Sequence, residues 1–201
     1  MKFDRTDTSF LARWWWTIDR WTLTSLALLT LMGTILLIAA SPAVAERIGL
    51  PSYHFVFRQF FYLIPSIFIL IGISLLPPQK IKRLALILFA ITFVGLVLTP
   101  LMGSEIKGAR RWIGLFGFTF QPSEFAKPAF AILSAWLINK QLEGHSFKGK
   151  IYSFLLYLLI VGLLLLQPDI GMAVVISGIW VSQFFLAGLA YQWIALLACL
   201  G

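Results

Sequence analysis

Leu84-Ala85-Leu86-Ile87-Leu88-Phe89-Ala90-Ile91-Thr92-Phe93-Val94-Gly95-Leu96-Val97-Leu98-Thr99-Pro100-Leu101 carries no charge and almost no polarity. An α-helix needs about 20 such residues to cross the hydrocarbon core of a bilayer, so this run reads as a membrane span. Comparable stretches lie at 21–41, 55–76, 120–138, 151–167 and 170–188, and another begins near Tyr191 and runs to Gly201. The expected fold is all-α: a polytopic transmembrane helix bundle with six complete spans and part of a seventh. Residues 1–20 form an N-terminal segment, and 21–201 the transmembrane domain.

Composition agrees. Of 201 residues, 60% are hydrophobic and 12% charged, against about 45–50% and 25% in soluble domains. The single cysteine, Cys199, rules out a disulfide framework, and no Cys/His metal cluster is present. His54 and His145 stand alone in loops and read as solvated residues. The tripeptide Ala43-Val44-Ala45 before Glu46 resembles a signal-peptidase site. The apolar segment ahead of it exceeds the 7–15 residues or so of a secretory h-region, so it reads as an uncleaved first span.

A net charge of +8 would point to nucleic acid in a soluble chain. Here its distribution points to orientation instead, and no nucleic-acid partner is expected. Lys2, Arg5, Arg13 and Arg20 precede span 1. Lys80, Lys82 and Arg83 separate spans 2 and 3, and Lys140, Lys148 and Lys150 separate spans 4 and 5. These segments alternate correctly to share the cytoplasmic side, which places the N-terminus in the cytoplasm. Trp14, Trp15, Trp16 and Trp21 suit an interfacial belt at the entry to span 1.

The loop between spans 3 and 4 breaks the charge rule. It falls on the outer side yet contains Lys107-Gly108-Ala109-Arg110-Arg111-Trp112. Position alone leaves two readings open. One is a solvated loop with head-group contacts through Arg and Trp. The other is an anion site, since paired guanidiniums recognise phosphate geometrically.

Span 4 opens Gln121-Pro122-Ser123-Glu124-Phe125-Ala126-Lys127-Pro128. Proline suits the first helical position, which would make Gln121 the cap. Glu124 and Lys127, three apart, share a face and can neutralise each other. Pro128 has no N–H and leaves the Glu124 carbonyl without its helical donor. Span 6 opens similarly, with Gln167-Pro168-Asp169-Ile170-Gly171. Acids so placed are either helix caps stabilised by the macrodipole or functional groups.

Taken in order, the Lys107–Trp112 string, Gln121-Pro122-Ser123-Glu124 with Phe125-Ala126-Lys127, and Gln167-Pro168-Asp169-Ile170-Gly171 resemble the SEDS family (shape, elongation, division and sporulation). The stretches Trp14–Arg20 and Ala43–Leu50 resemble its division-specific branch more than its elongation-specific one. The resemblance implies a ten-span peptidoglycan glycosyltransferase that polymerises lipid II at the outer face of the bacterial inner membrane. It further implies action at the division septum beside a class B penicillin-binding protein and other divisome membrane proteins, surrounded by membrane lipids. The substrate-binding set carried over is Lys107, Arg110, Arg111, Trp112, Gln121, Ser123, Glu124, Lys127, Gln167 and Asp169. No cofactor is certain, although a divalent cation could offset the acids beside a pyrophosphate. The family's catalytic aspartate follows the seventh span, beyond this sequence, so the chain is expected to be an N-terminal piece without polymerase activity alone. The alternatives are a flippase or transporter of lipid-linked precursors and a non-catalytic divisome scaffold.

Overall fold

The computed structural model describes residues 14–16, 18–106, 109–115, 118–144 and 147–188. Six helices occupy the six expected stretches: α1 (Arg20–Arg47), α2 (His54–Ser74), α3 (Pro78–Met102), α4 (Pro122–Leu142), α5 (Gly149–Leu166) and α6 (Ile170–Leu186). The expected seventh span falls outside the described residues. Several helices outrun their apolar stretches: α1 ends on Glu46 and Arg47, and α3 takes in Lys80, Lys82 and Arg83. A helix can carry charge on the turns that project past the hydrocarbon, so apolarity underestimates its length.

Among the described residues, α1, α2, α3 and α5 are long and apolar enough to cross a membrane. Helix α6 is equally apolar but shorter, with 17 residues. Helix α4 has 21 residues and carries Glu124, Lys127 and Lys140. Its two ends hold the charged clusters described below.

The chain divides into two compact units, 1–77 and 78–201. In the first, Asp19 caps α1 by accepting from the Trp21 N–H at 3.0 Å and from the Thr22 hydroxyl. These two donors hold its carboxyl below the ordinary carboxylate range, Thr22 contributing most. Trp14 donates to the Ser74 hydroxyl at 2.8 Å, and Arg20 lies over the rings of Trp15 and Trp16.

The second unit packs α3, α4, α5 and α6 around Leu96, Phe130, Ile138, Ile160, Leu164, Ile176 and Trp180. Apolar side chains such as Leu86, Ile87, Ile91 and Val94 remain exposed on α3. In lipid, apolar helix faces gain little by leaving solvent, so close packing and hydrogen bonds between helices decide the arrangement. Two glycines permit close packing. A Cβ on Gly95 would stand 3.0 Å from the ring of Pro122, and one on Gly149 would overlap the Leu137 carbonyl at 1.8 Å. The buried hydroxyls of Ser134 (α4) and Ser153 (α5) lie 2.8 Å apart, and Trp180 of α6 donates to Ser153 at 3.1 Å.

One feature departs from an all-helical reading. The connection from α3 to α4 folds into a three-stranded antiparallel sheet, β1 (Ser104–Ile106), β2 (Ala109–Leu115) and β3 (Phe118–Phe120). Trp112 and Ile113 are aromatic and β-branched residues of the kind favoured in strands. Strand β2 lies against α3 and α4. The helical bundle remains the dominant architecture.

Candidate functional site

Three segments meet at the α3 C-terminal end: strand β2, the start of α4 and, from more than 40 residues later, the junction between α5 and α6. Asp169 lies at their centre and is 4% exposed. Its carboxylate is 3.7 Å from Arg111 Nη1, 3.4 Å from Gln121 Nε2 and 3.5 Å from the buried Ser123 hydroxyl. Arg111 also donates through Nη2 to the Pro168 carbonyl. These contacts compensate the burial of a carboxylate, which is costly unless the charge is paired and hydrogen-bonded.

The sheet explains how Arg111 reaches this site. Ser104 pairs with Trp112 and Glu105 with Arg110, so the register slips and leaves Arg111 as the extra residue of β2. A bulge of this kind re-aims a side chain. Arg110 is anchored elsewhere, with Nη1 3.4 Å from the Pro100 carbonyl at the end of α3. The two neighbouring arginines thus reach different parts of the chain, Arg110 the end of α3 and Arg111 the junction between α5 and α6. Trp112 follows on β2, half-buried. Lys107 lies outside the described residues.

Gln121 stands where expected, with Pro122 opening the helix after it. Gln121 holds the N-cap position of α4, but its side chain makes no capping bond. Its amide instead donates to the Ser123 hydroxyl at 3.0 Å and to Asp169. These bonds use the amide nitrogen as donor, whereas a cap would need the amide oxygen to accept from a helix N–H. Asp169 likewise occupies the N-cap position of α6 without a side-chain cap bond. Its carboxylate is engaged by Arg111, Gln121 and Ser123 instead.

Glu124 and Lys127 pair as their spacing predicts, with Nζ 2.7 Å from Oε2. Glu124 points away from Asp169: Ser123 is buried, whereas the next residue, Glu124, is exposed. Successive helical residues point about 100° apart, which separates the two acids. Both acids are therefore paired with a cation of this chain. Among the described residues, no three His, Cys, Asp or Glu side chains gather in a metal-binding arrangement.

Gln167 has a role that sequence reading did not reveal. Pro100 cannot donate to the Leu96 carbonyl four residues earlier, and Gln167 Nε2 fills that vacancy at 2.7 Å. Gln167 is 3% exposed. The clue in the sequence was a proline inside an apolar helix, which always leaves one carbonyl seeking a donor.

Residues 19–201 match the family described as cell cycle protein, which takes in FtsW, RodA and SpoVE. The chain belongs to this family. It is the SEDS family whose motifs converge at Asp169. The chain is 40% identical over 193 residues to a probable peptidoglycan glycosyltransferase FtsW of Caulobacter vibrioides, covering 96% of this chain and 50% of that protein. A second relative of the same description, from Marinomonas mediterranea, is 31% identical and covers 89% of this chain and 45% of its own length. The chain thus spans about half the length of the curated relatives it matches.

Among solved structures, the rod shape determining protein RodA of Thermus thermophilus matches with a TM-score of 0.59 at 32% identity, over 83% of this chain and 57% of that one. A chain from a peptidoglycan synthase complex that coordinates polymerization and crosslinking matches with a TM-score of 0.59 at 31% identity. That match covers 84% of this chain and 51% of the other.

Proposed function

We propose that this chain supplies the substrate-side half of a peptidoglycan glycosyltransferase that polymerises lipid II during cell division. The observation that carries the reading is the convergence of Arg111, Gln121, Ser123 and Asp169 from three separate SEDS motifs. Positive charge in the opposite loops, at Lys80, Lys82, Arg83, Lys140, Lys148 and Lys150, favours the cytoplasm for that end and the outer face of the inner membrane for this one, with the N-terminus in the cytoplasm.

In the intact enzyme, Arg111, with Lys107 and Arg110, adds positive charge where the pyrophosphate leaving group gathers negative charge. Asp169 positions Arg111, and the Glu124–Lys127 pair lines the approach. Pairing within the chain removes much of the repulsion that two acids would exert on a pyrophosphate. A divalent cation is the alternative neutraliser, and full turnover of the intact enzyme in excess chelator would exclude it. The synthase complex among the structural relatives supports a penicillin-binding protein as partner.

The decisive experiment compares lipid II polymerisation by this chain and by a chain of the relatives' length. Polymer from the longer chain alone is the expected result. Glycan synthesis by this chain alone would overturn the division of labour, and lipid transport in liposomes without polymerisation would favour a flippase. Partner binding by both chains with turnover by neither would favour a scaffold.

A further inference from the structure

The opposite end of the second unit holds a cluster that the Asp169 site does not use. From Ser123 to Lys140 along α4 the rise is about 25 Å, close to the depth of a bilayer's hydrocarbon core. There Lys82 of α3 lies 4.6 Å from the ring centroid of Trp136, and Lys140 lies 5.4 Å from the same ring. Lys140 also stands 4.5 Å from the ring of Phe147, which stacks on Tyr152 at 4.9 Å. All four residues from Lys82 to Phe147 are half-buried.

The arrangement is built rather than incidental. Gly149 lets the first turn of α5 close onto α4, and the Lys150 N–H donates to Gln141 Oε1 at 2.8 Å. This brings Lys148 and Lys150 to the same end. The nearest acid in the sequence, Glu143, accepts from Asn139 Nδ2 at 2.7 Å. Neither Lys82 nor Lys140 has a carboxylate partner among the described residues.

Ring faces attract ammonium groups but satisfy few of their N–H donors. Two like charges on one indole repel each other, and an anion between them reverses that cost. Basic recesses between helices at a membrane interface suit lipid head groups. We propose that Lys82, Trp136, Lys140 and Phe147 form a binding site for the phosphodiester head group of an anionic phospholipid. A phospholipid fits better than a soluble anion because the apolar faces of α3 and α5 lead directly from the cluster, where acyl chains would lie.

The test is native mass spectrometry of the full chain released from vesicles of mixed phosphatidylglycerol and phosphatidylcholine. Wild type should retain phosphatidylglycerol preferentially. Lys82→Gln and Lys140→Gln should each reduce that preference about fivefold. Lys80→Gln with Arg83→Gln removes two charges from exposed positions at the same end and should leave most of the preference intact. Equal loss in both sets would reduce the effect to general surface charge and overturn the site. Displacement of the lipid by inorganic phosphate would reassign the site to a soluble anion and overturn the lipid assignment. If the glutamine variants fail to fold, a head-group photoprobe on wild type replaces them. Adducts at residues 80–83 and 136–150 support the proposal, and adducts elsewhere overturn it.

Discussion

Gln167 donates its side-chain amide to the main-chain carbonyl of Leu96 at 2.7 Å, and that carbonyl is the one Pro100 leaves vacant. A defect in one helix is repaired by a residue 71 positions later. Gln167→Leu should destabilise the bundle by about 1–3 kcal/mol, the cost of an unsatisfied buried acceptor. In a Pro100→Ala background the helix supplies its own N–H, and the same substitution should cost far less. A double-mutant cycle on unfolding in mixed micelles measures the difference, and additive effects would refute the repair.

Arg111→Ala leaves Asp169 buried without its cation. We expect lipid II turnover by the intact enzyme to fall about ten- to a hundredfold, the range for a lost hydrogen bond to a charged group. Membrane insertion should persist. Arg111→Lys keeps the charge but not the fork that reaches Asp169 and Pro168 together, so it should recover only part of the activity. Unchanged turnover in the alanine variant would remove Arg111 from the site.

In the Glu124–Lys127 pair the acid is exposed, 44% against 5% for Asp169. The pair's contribution to stability should stay within about 0.5 kcal/mol, as for other i,i+3 pairs. Glu124→Gln should therefore unfold like wild type, and any loss of turnover reports on function. A large drop in stability would show that the pair is structural.

Ser153 accepts from Trp180 and shares a hydrogen bond with Ser134, so Ser153→Ala breaks the links among α4, α5 and α6. The expected cost is about 1–2 kcal/mol in a membrane setting. Refolding yield and unfolding midpoint in detergent check it.

Asp19 gives a pH test at the start of α1. Its folded pKa is depressed, so its capping contribution is complete above the ordinary value of 3.8 and is lost as pH falls through the lower folded value. Amide exchange at Trp21 and Thr22 should accelerate across that acid range in wild type. Asp19→Asn should flatten the dependence.

The helices were largely legible because apolar length is a direct requirement of the bilayer. The Glu124–Lys127 pair was legible because its two members share one helical face. What escaped was set by tertiary structure. The bulge at Arg111 depends on a one-residue slip against β1, which charge counting cannot show. Gln121 holds the N-cap position that Pro122 suggests, but its amide nitrogen turns to Ser123 and to Asp169, 48 residues away. Gln167 has no pattern of its own, and its partner was signalled only by Pro100.

The Arg111–Asp169 pair also changes what binding at this end must mean. An arriving anion does not meet a vacant guanidinium. To engage Arg111 fully it has to compete with a resident carboxylate, so association becomes an exchange of partners. The affinity is then a difference between two ion pairs, and the displaced Asp169 still retains Gln121 and Ser123 as donors. Such a site would favour ligands that hold Arg111 with more than one oxygen and penalise those that offer only one.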